Sequence, residues 1–333
     1  MAPATVALTV SVALCTHNGE RFIEEQLSSI LGQSQPPTQL VISDDASNDN
    51  TIALVTATIA QWRVAHPETL LSVTRINNSV ALGVVANFAG AIAATEGDLV
   101  ALCDQDDVWP VGRLERMIAV FDSTPQLLLL HTDATLIDAS GRSTGQSLFG
   151  SLGVGDATKR AVHSGYAYES LMKRNIVTGA TTVFRRDLAN AALPFPPSWV
   201  HDEWLAIVAA AVGVVDLLDE KLIEYRQHEA NQIGVERLSF TGKAGRMLAP
   251  GAGRNRRLLA RAEQLAERIA GLGVSPQRTA AAGQKLLHEQ IRSGLGRRRL
   301  SRVLPVVREL TTGRYGKFGR GVPDAVRDLL QPL

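Results

Sequence analysis

The sequence predicts an α/β fold over residues 1–234, with a mostly parallel sheet flanked by helices, and a basic, mainly helical region over residues 235–333. Two observations support this prediction. Short apolar runs alternate with amphipathic stretches of helical period, which is typical of βα units with parallel strands. The charges are also segregated, because residues 235–333 hold 20 lysines and arginines against 7 aspartates and glutamates. We therefore expect two distinct parts in this chain of 333 residues.

The first hundred or so residues carry the clearest alternation of strands and helices. Short apolar runs bounded by turn residues predict strands over 6–15, 40–43, 70–76 and 98–103. Apolar residues at helical spacing predict helices near 18–31, with Asn18 as the N-cap, and over 50–63 and 83–95. Ligands bind beyond the carboxyl ends of such strands, so the polar residues that follow them are candidate site residues.

After residue 111 the pattern is less regular. We predict a helix over 113–121, a strand over 127–131, a hairpin turn over 137–143, a β-branched strand over 175–184 and a helix over 201–213. Beyond residue 235, helix-like stretches such as RRLLARAEQLAERIAGLG and RRRLSRVLPVVREL carry no recognisable chemistry.

Three carboxylates directly follow the strand over 98–103, in the segment LVALCDQDDVWP. Asp104, Asp106 and Asp107 repel one another unless a cation, hydrogen bonds or water compensates their charges. An Asp-x-Asp pair suits Mg²⁺ or Mn²⁺, which prefer oxygen ligands and often share them with substrate phosphates. One alternative is a solvated acidic loop. Another is the DxDxV motif of haloacid-dehalogenase phosphatases, although about a hundred residues of α/β pattern precede it here.

Composition limits the possible classes. Cys15 and Cys103 both end apolar runs, so we expect buried, reduced thiols in a cytoplasmic protein rather than a disulfide framework. No lysine or arginine precedes Arg21, which argues against a signal peptide. No apolar run reaches the ~20 residues that span a bilayer. The expected location is the cytoplasm, and peripheral attachment to the inner face of the cell membrane stays open.

Four motifs in order resemble the family 2 glycosyltransferases, which have the GT-A fold. VALCTHNGERFIEEQLSSILGQSQPPTQLVISDDASNDNT resembles their opening segment, DQDDVW their DxD element, and HDEWL the element that carries the catalytic base. EYRQHEANQIG resembles the ending of a subgroup of rhamnosyltransferases and other cell-surface polysaccharide enzymes. The resemblance covers about residues 6–234 and not the basic region.

The resemblance implies a set of donor-binding residues. Cys15, Thr16 and His17 would line the nucleotide base, with His17 standing where the family usually has tyrosine. Asp45 would accept a hydrogen bond from the ring N–H of the base. Asp104 would contact the ribose or the diphosphate.

The resemblance also implies a metal site and a base. Asp106 would bind the divalent metal, Mg²⁺ or Mn²⁺. His228 would be a further ligand of the metal or of the diphosphate, with Arg226 close to the donor. Asp107 would orient the site without touching the metal. Asp202 would be the general base, and an unperturbed aspartate is already ionised at neutral pH.

The implied reaction is inverting transfer of a sugar from a nucleotide-diphosphate donor to an acceptor hydroxyl. The implied setting is synthesis of cell-surface polysaccharide or glycolipid, with a glycan or polyprenyl-linked acceptor. A non-catalytic sugar-nucleotide-binding or scaffold protein on the same fold is the alternative from another class, and the phosphatase is a weaker one.

The charge of residues 235–333 suggests a polyanionic partner. An anionic membrane surface is one expectation, since each basic residue near such a surface is worth about 1 kcal/mol. A solvated helical face or an oligomer contact is the alternative. Nucleic acid is not expected, because aromatic residues make up only 5% of the chain and no recognition module is visible.

Overall fold

The computed structural model describes residues 7–229 and 252–332, so the predicted boundary at residue 234 lies outside the described residues. The strands of the described part are β1 (Val10–Thr16), β2 (Gln39–Asp44), β3 (Ser72–Asn77), β4 (Leu99–Cys103), β5 (Leu127–Ile137), β6 (Ser143–Ser147), β7 (Thr182–Arg185) and β8 (Val214–Arg226). The helices are α1 (Ile23–Leu31), α2 (Thr51–Ala65), α3 (Val84–Ala93), α4 (Arg113–Ser123), α5 (Leu148–Leu152), α6 (Asp156–His163), α7 (Ala167–Lys173), α8 (Leu188–Ala192), α9 (His201–Val212), α10 (Ala252–Gly271), α11 (Pro276–Ser293), α12 (Arg299–Thr311), α13 (Arg314–Phe318) and α14 (Val322–Leu330).

The described strands form one mixed sheet in the order β3-β2-β1-β4-β7-β5-β6, with β8 paired to β5. β1 pairs in parallel with β2 and β4, β2 with β3, and β5 with β8, whereas β7 and β6 run antiparallel to their neighbours. In the register, Thr16 lies beside Asp44, and Leu14 lies beside Cys103. The predicted mostly parallel α/β sheet is confirmed, and the carboxyl ends of β1, β2 and β4 meet at one edge.

Helices cover both faces of this sheet, which explains why every residue of β1, β2 and β4 is buried. Ala13 and Cys15 of β1 face the layer that contains α3 and α9, whereas Val12 and Leu14 face the layer of α1, α2 and α4. Alternate residues of one strand therefore enter opposite halves of the core, as the two-residue period of a strand requires.

Two local predictions are wrong. The strand predicted over 175–184 begins only at Thr182, because the side chain of Asn175 bonds both the N–H and the carbonyl of Val177, at 2.9 and 2.7 Å. Such side-chain bonds compete with a strand ladder. Asn18 does not cap α1, which begins at Ile23. It adopts a left-handed backbone with φ of 49°, and its side-chain oxygen accepts the Asn48 N–H.

The described part of the basic region is helical, as predicted, and packs against the α/β part. Leu265, Ile269 and Phe318 belong to the same buried cluster as α9. Its arginines are not all exposed to solvent, since Arg292 and Arg302 are buried. No helix among the described residues is long and apolar enough to cross a membrane.

Candidate active site

A cavity of about 700 Å³ opens at the shared edge of β1, β2 and β4, within the size range of small-molecule sites. Its walls come from the residues that follow these strands and from the N-terminal end of α9. The sequence-predicted site residues that line it are Cys15, Thr16, His17, Asp45, Asp104, Asp106, Asp202 and His228. Side chains from distant segments of the chain therefore share one cavity.

The carboxylates of the cavity interact electrostatically. Burial, the negative charge of Asp106 and that of Asp202 together raise the pKa of Asp104 to about 7. Burial followed by Asp106 and Asp104 raises the pKa of Asp107 well above its ordinary value. Asp104 and Asp202 line the same cavity, and the charge of Asp202 adds to the rise in the pKa of Asp104, so the two acidic segments lie close together.

Asp106 is paired with His228 at the wall of this cavity. Its Oδ2 lies 2.8 Å from His228 Nε2, and both side chains are mostly buried. The acidic loop is anchored to β8 just before His228, since Val108 and Glu224 exchange two backbone hydrogen bonds of 3.1 and 2.9 Å. A carboxylate oxygen and an imidazole nitrogen in contact are suitable donors for a divalent cation.

A metal bound by Asp106 and His228 would also need oxygen donors from a bound substrate. In residues 7–229 and 252–332, no group of three or more His, Cys, Asp or Glu side chains comes together to hold an ion. A two-residue donor set fits a cation whose remaining positions are filled by diphosphate oxygens and water, which is the usual arrangement for Mg²⁺.

Asp202 lies in the first turn of α9 with its carboxylate fixed by backbone donors. Oδ2 accepts the Gly179 N–H at 2.8 Å, and Oδ1 accepts the Glu203 N–H at 2.7 Å. Burial raises the pKa of Asp202, and these hydrogen bonds and the charge of Arg261 partly offset that rise. The expected unperturbed carboxylate is therefore not what the structure shows, because the first turn of α9 is buried against the cavity.

Asp45 organises the opposite end of the cavity. Its carboxylate accepts the N–H groups of Leu82 and Gly83, at 2.7 and 2.8 Å, and the Asn78 amide at 3.1 Å. His17 Nδ1 lies 2.6 Å from the Asp45 carbonyl oxygen, which positions the imidazole ring. This end presents a flat ring and an anchored carboxylate, an arrangement that can hold a planar heterocycle.

The match to a family decides among the classes that this geometry allows. The model of the glycosyl transferase family 2 matches residues 11–187. The chain belongs to glycosyl transferase family 2. This membership leaves the haloacid-dehalogenase alternative without support.

Curated relatives and a solved structure agree with the assignment to family 2. The chain is 26% identical over 229 residues to an uncharacterized glycosyltransferase of Nostoc sp.. The match covers 67% of this chain and 66% of that protein, so the chain spans just under two thirds of the relative's length. It is 27% identical over 240 residues to dTDP-rhamnosyl transferase RfbG of Shigella flexneri, covering 70% and 78%. The fold is similar to that of S. aureus TarS 1–349 in complex with UDP, with a TM-score of 0.54, 18% identity, and coverage of 86% of this chain and 71% of that one. The expected GT-A fold is confirmed.

Two of the predicted residues of this family 2 site lie behind the cavity rather than in its wall. The Arg226 guanidinium is buried, donates to the Asp106 carbonyl at 2.7 Å and pairs with Glu25 at 2.6 Å. Its backbone N–H donates to Asp107 Oδ1 at 2.9 Å. Arg226 is not among the described residues that line the cavity, and its place close to the donor stays a prediction. Both residues brace the loop that carries Asp106.

Three residues that sequence reasoning missed contribute to the site. Gln105 accepts the His17 N–H at 2.8 Å and donates to the His17 carbonyl at 3.0 Å, which joins the ends of β1 and β4. Gly179 orients Asp202 through its N–H. Arg261 of α10 forms an ion pair with Glu203, next to Asp202. The only sequence signal for Gln105 was its position between Asp104 and Asp106. The contacts of Gly179 with Asp202 and of Arg261 with Glu203 join separate segments, so no local pattern could indicate them.

Proposed function

We propose that this chain is an inverting, divalent-metal-dependent glycosyltransferase that moves a sugar from a nucleotide-diphosphate donor to an acceptor hydroxyl. Membership of family 2 supports the reaction class. The observation that carries the proposal is the convergence of Asp104, Asp106 and Asp202 on one cavity, where their charges interact.

The donor would bind with its base against the end of the cavity that His17 and Asp45 form and its diphosphate towards Asp104 and Asp106. Asp106 and His228 would hold the cation, whose chemistry is to neutralise the charge that develops on the departing diphosphate. Gln105 would hold the part of the site that binds the base at a fixed distance from the part that binds the diphosphate, since it hydrogen-bonds the backbone of His17. The similarity to RfbG makes a dTDP-deoxyhexose the first donor to test.

Asp202 would accept the proton of the acceptor hydroxyl as that oxygen attacks the anomeric carbon on the side opposite the diphosphate. The two backbone donors to its carboxylate support this role because they fix the direction of the accepting lone pairs. A positioned general base contributes about 10²–10⁴-fold to the rate.

The acceptor would enter along the side of the cavity formed by Leu152, Asn175 and Val177, beyond Asp202. A glycan or a polyprenyl-linked sugar is the acceptor class we propose, in the synthesis of cell-surface polysaccharide or glycolipid. A lipid-linked acceptor would suit a cytoplasmic enzyme peripheral to the membrane.

A thermal-shift panel tests the donor site directly. We expect one of dTDP-rhamnose, UDP-hexoses and GDP-mannose to raise the Tm in the presence of Mn²⁺, and to do so much less without it. Asp106→Asn should remove the Mn²⁺-dependent part of the shift. Equal shifts with and without Mn²⁺ in both proteins would contradict the metal site.

A donor-hydrolysis assay separates the enzyme from the non-catalytic alternative. We expect slow, metal-dependent release of nucleoside diphosphate from the stabilising donor when acceptor is absent. Stable binding with no turnover under any acceptor condition would instead favour a sugar-nucleotide-binding protein.

A further inference from the structure

One helix of the C-terminal region exposes an apolar face. On α12, Leu300 is 89% exposed and Leu304 57% exposed, and the other members of this face are Val303, Val307 and Leu310. At 3.6 residues per turn these positions fall within an arc of roughly 120°. We call these five residues the α12 apolar face.

α12 packs on its neighbours through the side opposite its apolar face. Arg302, Val306 and Glu309 are buried, and the helix packs on α14 through that side. The α12 apolar face is therefore not needed for the fold of the described residues. α14 shows a similar feature, since Val322, Val326 and Leu330 are exposed at four-residue intervals.

The charges around the α12 apolar face have one sign. Arg297, Arg298 and Arg299 precede or begin the helix, Arg308 lies beyond the other edge of the arc, and all four are exposed. Glu309 is the only acidic residue between positions 290 and 323, and it is buried. It is also neutralised, since Arg314 and His288 contact its carboxylate. Within residues 290–323, the exposed side thus combines aliphatic surface with a positive rim and no exposed acidic residue.

We propose that α12 docks in the surface of an anionic phospholipid bilayer, with its apolar face among the acyl chains and Arg297, Arg298, Arg299 and Arg308 at the lipid phosphates. An amphipathic helix with arginines beside an aliphatic face lies in the plane of such an interface. At 13 residues α12 is about 20 Å long, too short to span the hydrocarbon core.

The same charges disfavour the competing occupant, a second copy of this chain. Pairing two α12 apolar faces would bring two arginine clusters together without an acidic partner, which is unfavourable. An anionic lipid surface complements both the apolar face and the arginines. This inference depends on surface residues alone, so it holds or fails independently of the transferase chemistry.

Vesicle flotation with the full chain tests the proposal. We expect at least tenfold stronger binding to vesicles of phosphatidylglycerol and phosphatidylcholine than to phosphatidylcholine alone. The double variant Leu300→Ser, Leu304→Ser should lose at least tenfold in binding. The matched control Val64→Ser, Leu70→Ser changes two apolar residues of the α/β part that are 83% and 93% exposed, and it should bind as the wild type does.

A second variant separates the contribution of charge. Arg297→Gln, Arg298→Gln, Arg299→Gln should abolish the preference for anionic vesicles, since each near-surface arginine adds to the attraction. Undiminished binding by the Leu300/Leu304 variant would overturn the proposal. Wild-type protein that does not bind anionic vesicles would overturn it as well. A wild-type dimer in light scattering that the Leu300/Leu304 variant converts to monomer would also overturn it, in favour of self-association.

Discussion

At the scale of single residues, Gln105 shows how the site depends on one amide side chain. It bonds both the N–H and the carbonyl of His17, and so fixes the end of β1 against the loop that carries Asp104 and Asp106. Each neutral hydrogen bond of this kind contributes about 0.5–1.5 kcal/mol. The proposed base and diphosphate subsites are therefore held at a set distance by Gln105.

Gln105→Ala should raise the KM for the donor by about tenfold, with a smaller effect on kcat, because the two donor subsites lose their common tie. Steady-state kinetics with the stabilising donor measures both constants. Gln146→Ala, at an exposed position outside the cavity, is the control and should leave both unchanged. A KM equal to that of the wild type would show that His17 is positioned by other contacts.

Asp104 illustrates a residue kept at a cost in stability. Its pKa of about 7 in the folded protein lies above the ordinary value of 3.8, so folding favours its protonated form. Ionised Asp104 therefore lowers the free energy of unfolding. This effect is absent below the pKa of the unfolded state and fully present above about pH 7, because stability falls with rising pH wherever the folded state binds more protons.

Asp104→Asn should therefore raise the Tm of the metal-free protein by a few degrees at pH 8, and by less at pH 5. Differential scanning calorimetry at the two pH values measures the difference. Asp122→Asn, which removes an exposed carboxylate, is the matched control and should change the Tm little at either pH. No gain in stability at pH 8 would contradict the unfavourable burial and like-charge repulsion described for Asp104.

At the scale of elements, α10 supports the start of α9. Arg261 of α10 lies over the Trp199 ring, with its guanidinium carbon 3.9 Å from the ring centroid, and forms an ion pair with Glu203. Trp199 in turn donates its indole N–H to the Arg261 carbonyl at 3.1 Å. The basic region thereby acts on the residue beside the proposed base.

Arg261→Gln should move the acidic limb of the pH profile of kcat to higher pH. The positive charge of Arg261 lowers the pKa of Asp202, so its removal raises that pKa, and the base must be ionised to accept a proton. Arg261→Lys should restore part of the shift, and Arg257→Gln on an exposed position of α10 should cause none. An unmoved acidic limb would mean that Arg261 serves packing alone.

At the scale of the whole molecule, the described part of the basic region completes the core of the α/β part. Leu265, Ile269 and Phe318 are almost fully buried in the cluster that also contains Trp204. Removing them would expose the apolar side of α9, on which Asp202 is carried.

A protein truncated to residues 1–234 should therefore aggregate or melt at a markedly lower temperature than the full chain, because several large apolar side chains lose their cover. Light scattering and thermal unfolding of both proteins check this. A truncated protein with unchanged Tm and full transfer activity would instead support the two independent parts that the charge distribution predicts.

The sequence was sufficient for features that depend on local pattern. The apolar strands and the acids directly after β4 were readable because a strand end and its first loop residues are neighbours in the chain. The strand predicted over 175–184 failed because Asn175 and Gly179 use their hydrogen bonds for a loop and for Asp202. The ion pair of Arg226 with Glu25 was not predicted, because the two residues lie some two hundred positions apart.

The basic region shows the same limit on a larger scale. Net charge suggested a membrane-facing surface, a solvated helical face or an oligomer contact. In the structure, Arg292 is buried against Asp328, and the buried Arg302 donates to the carbonyls of Asp328 and Gln331. These contacts join helices that are separate in sequence, so composition alone could not show which arginines stay exposed. Only the packing of α12 reveals that Arg297, Arg298, Arg299 and Arg308 border an apolar face.

The central proposal is that Asp202 deprotonates the acceptor in the same cavity that binds the donor. The kinetics of Asp202→Asn test it most directly. Asparagine keeps the size of the side chain and one acceptor oxygen, but it cannot take a proton. We expect kcat to fall about 10²–10⁴-fold while metal-dependent binding of the donor is retained. A kcat within tenfold of the wild-type value would contradict the proposed role of Asp202.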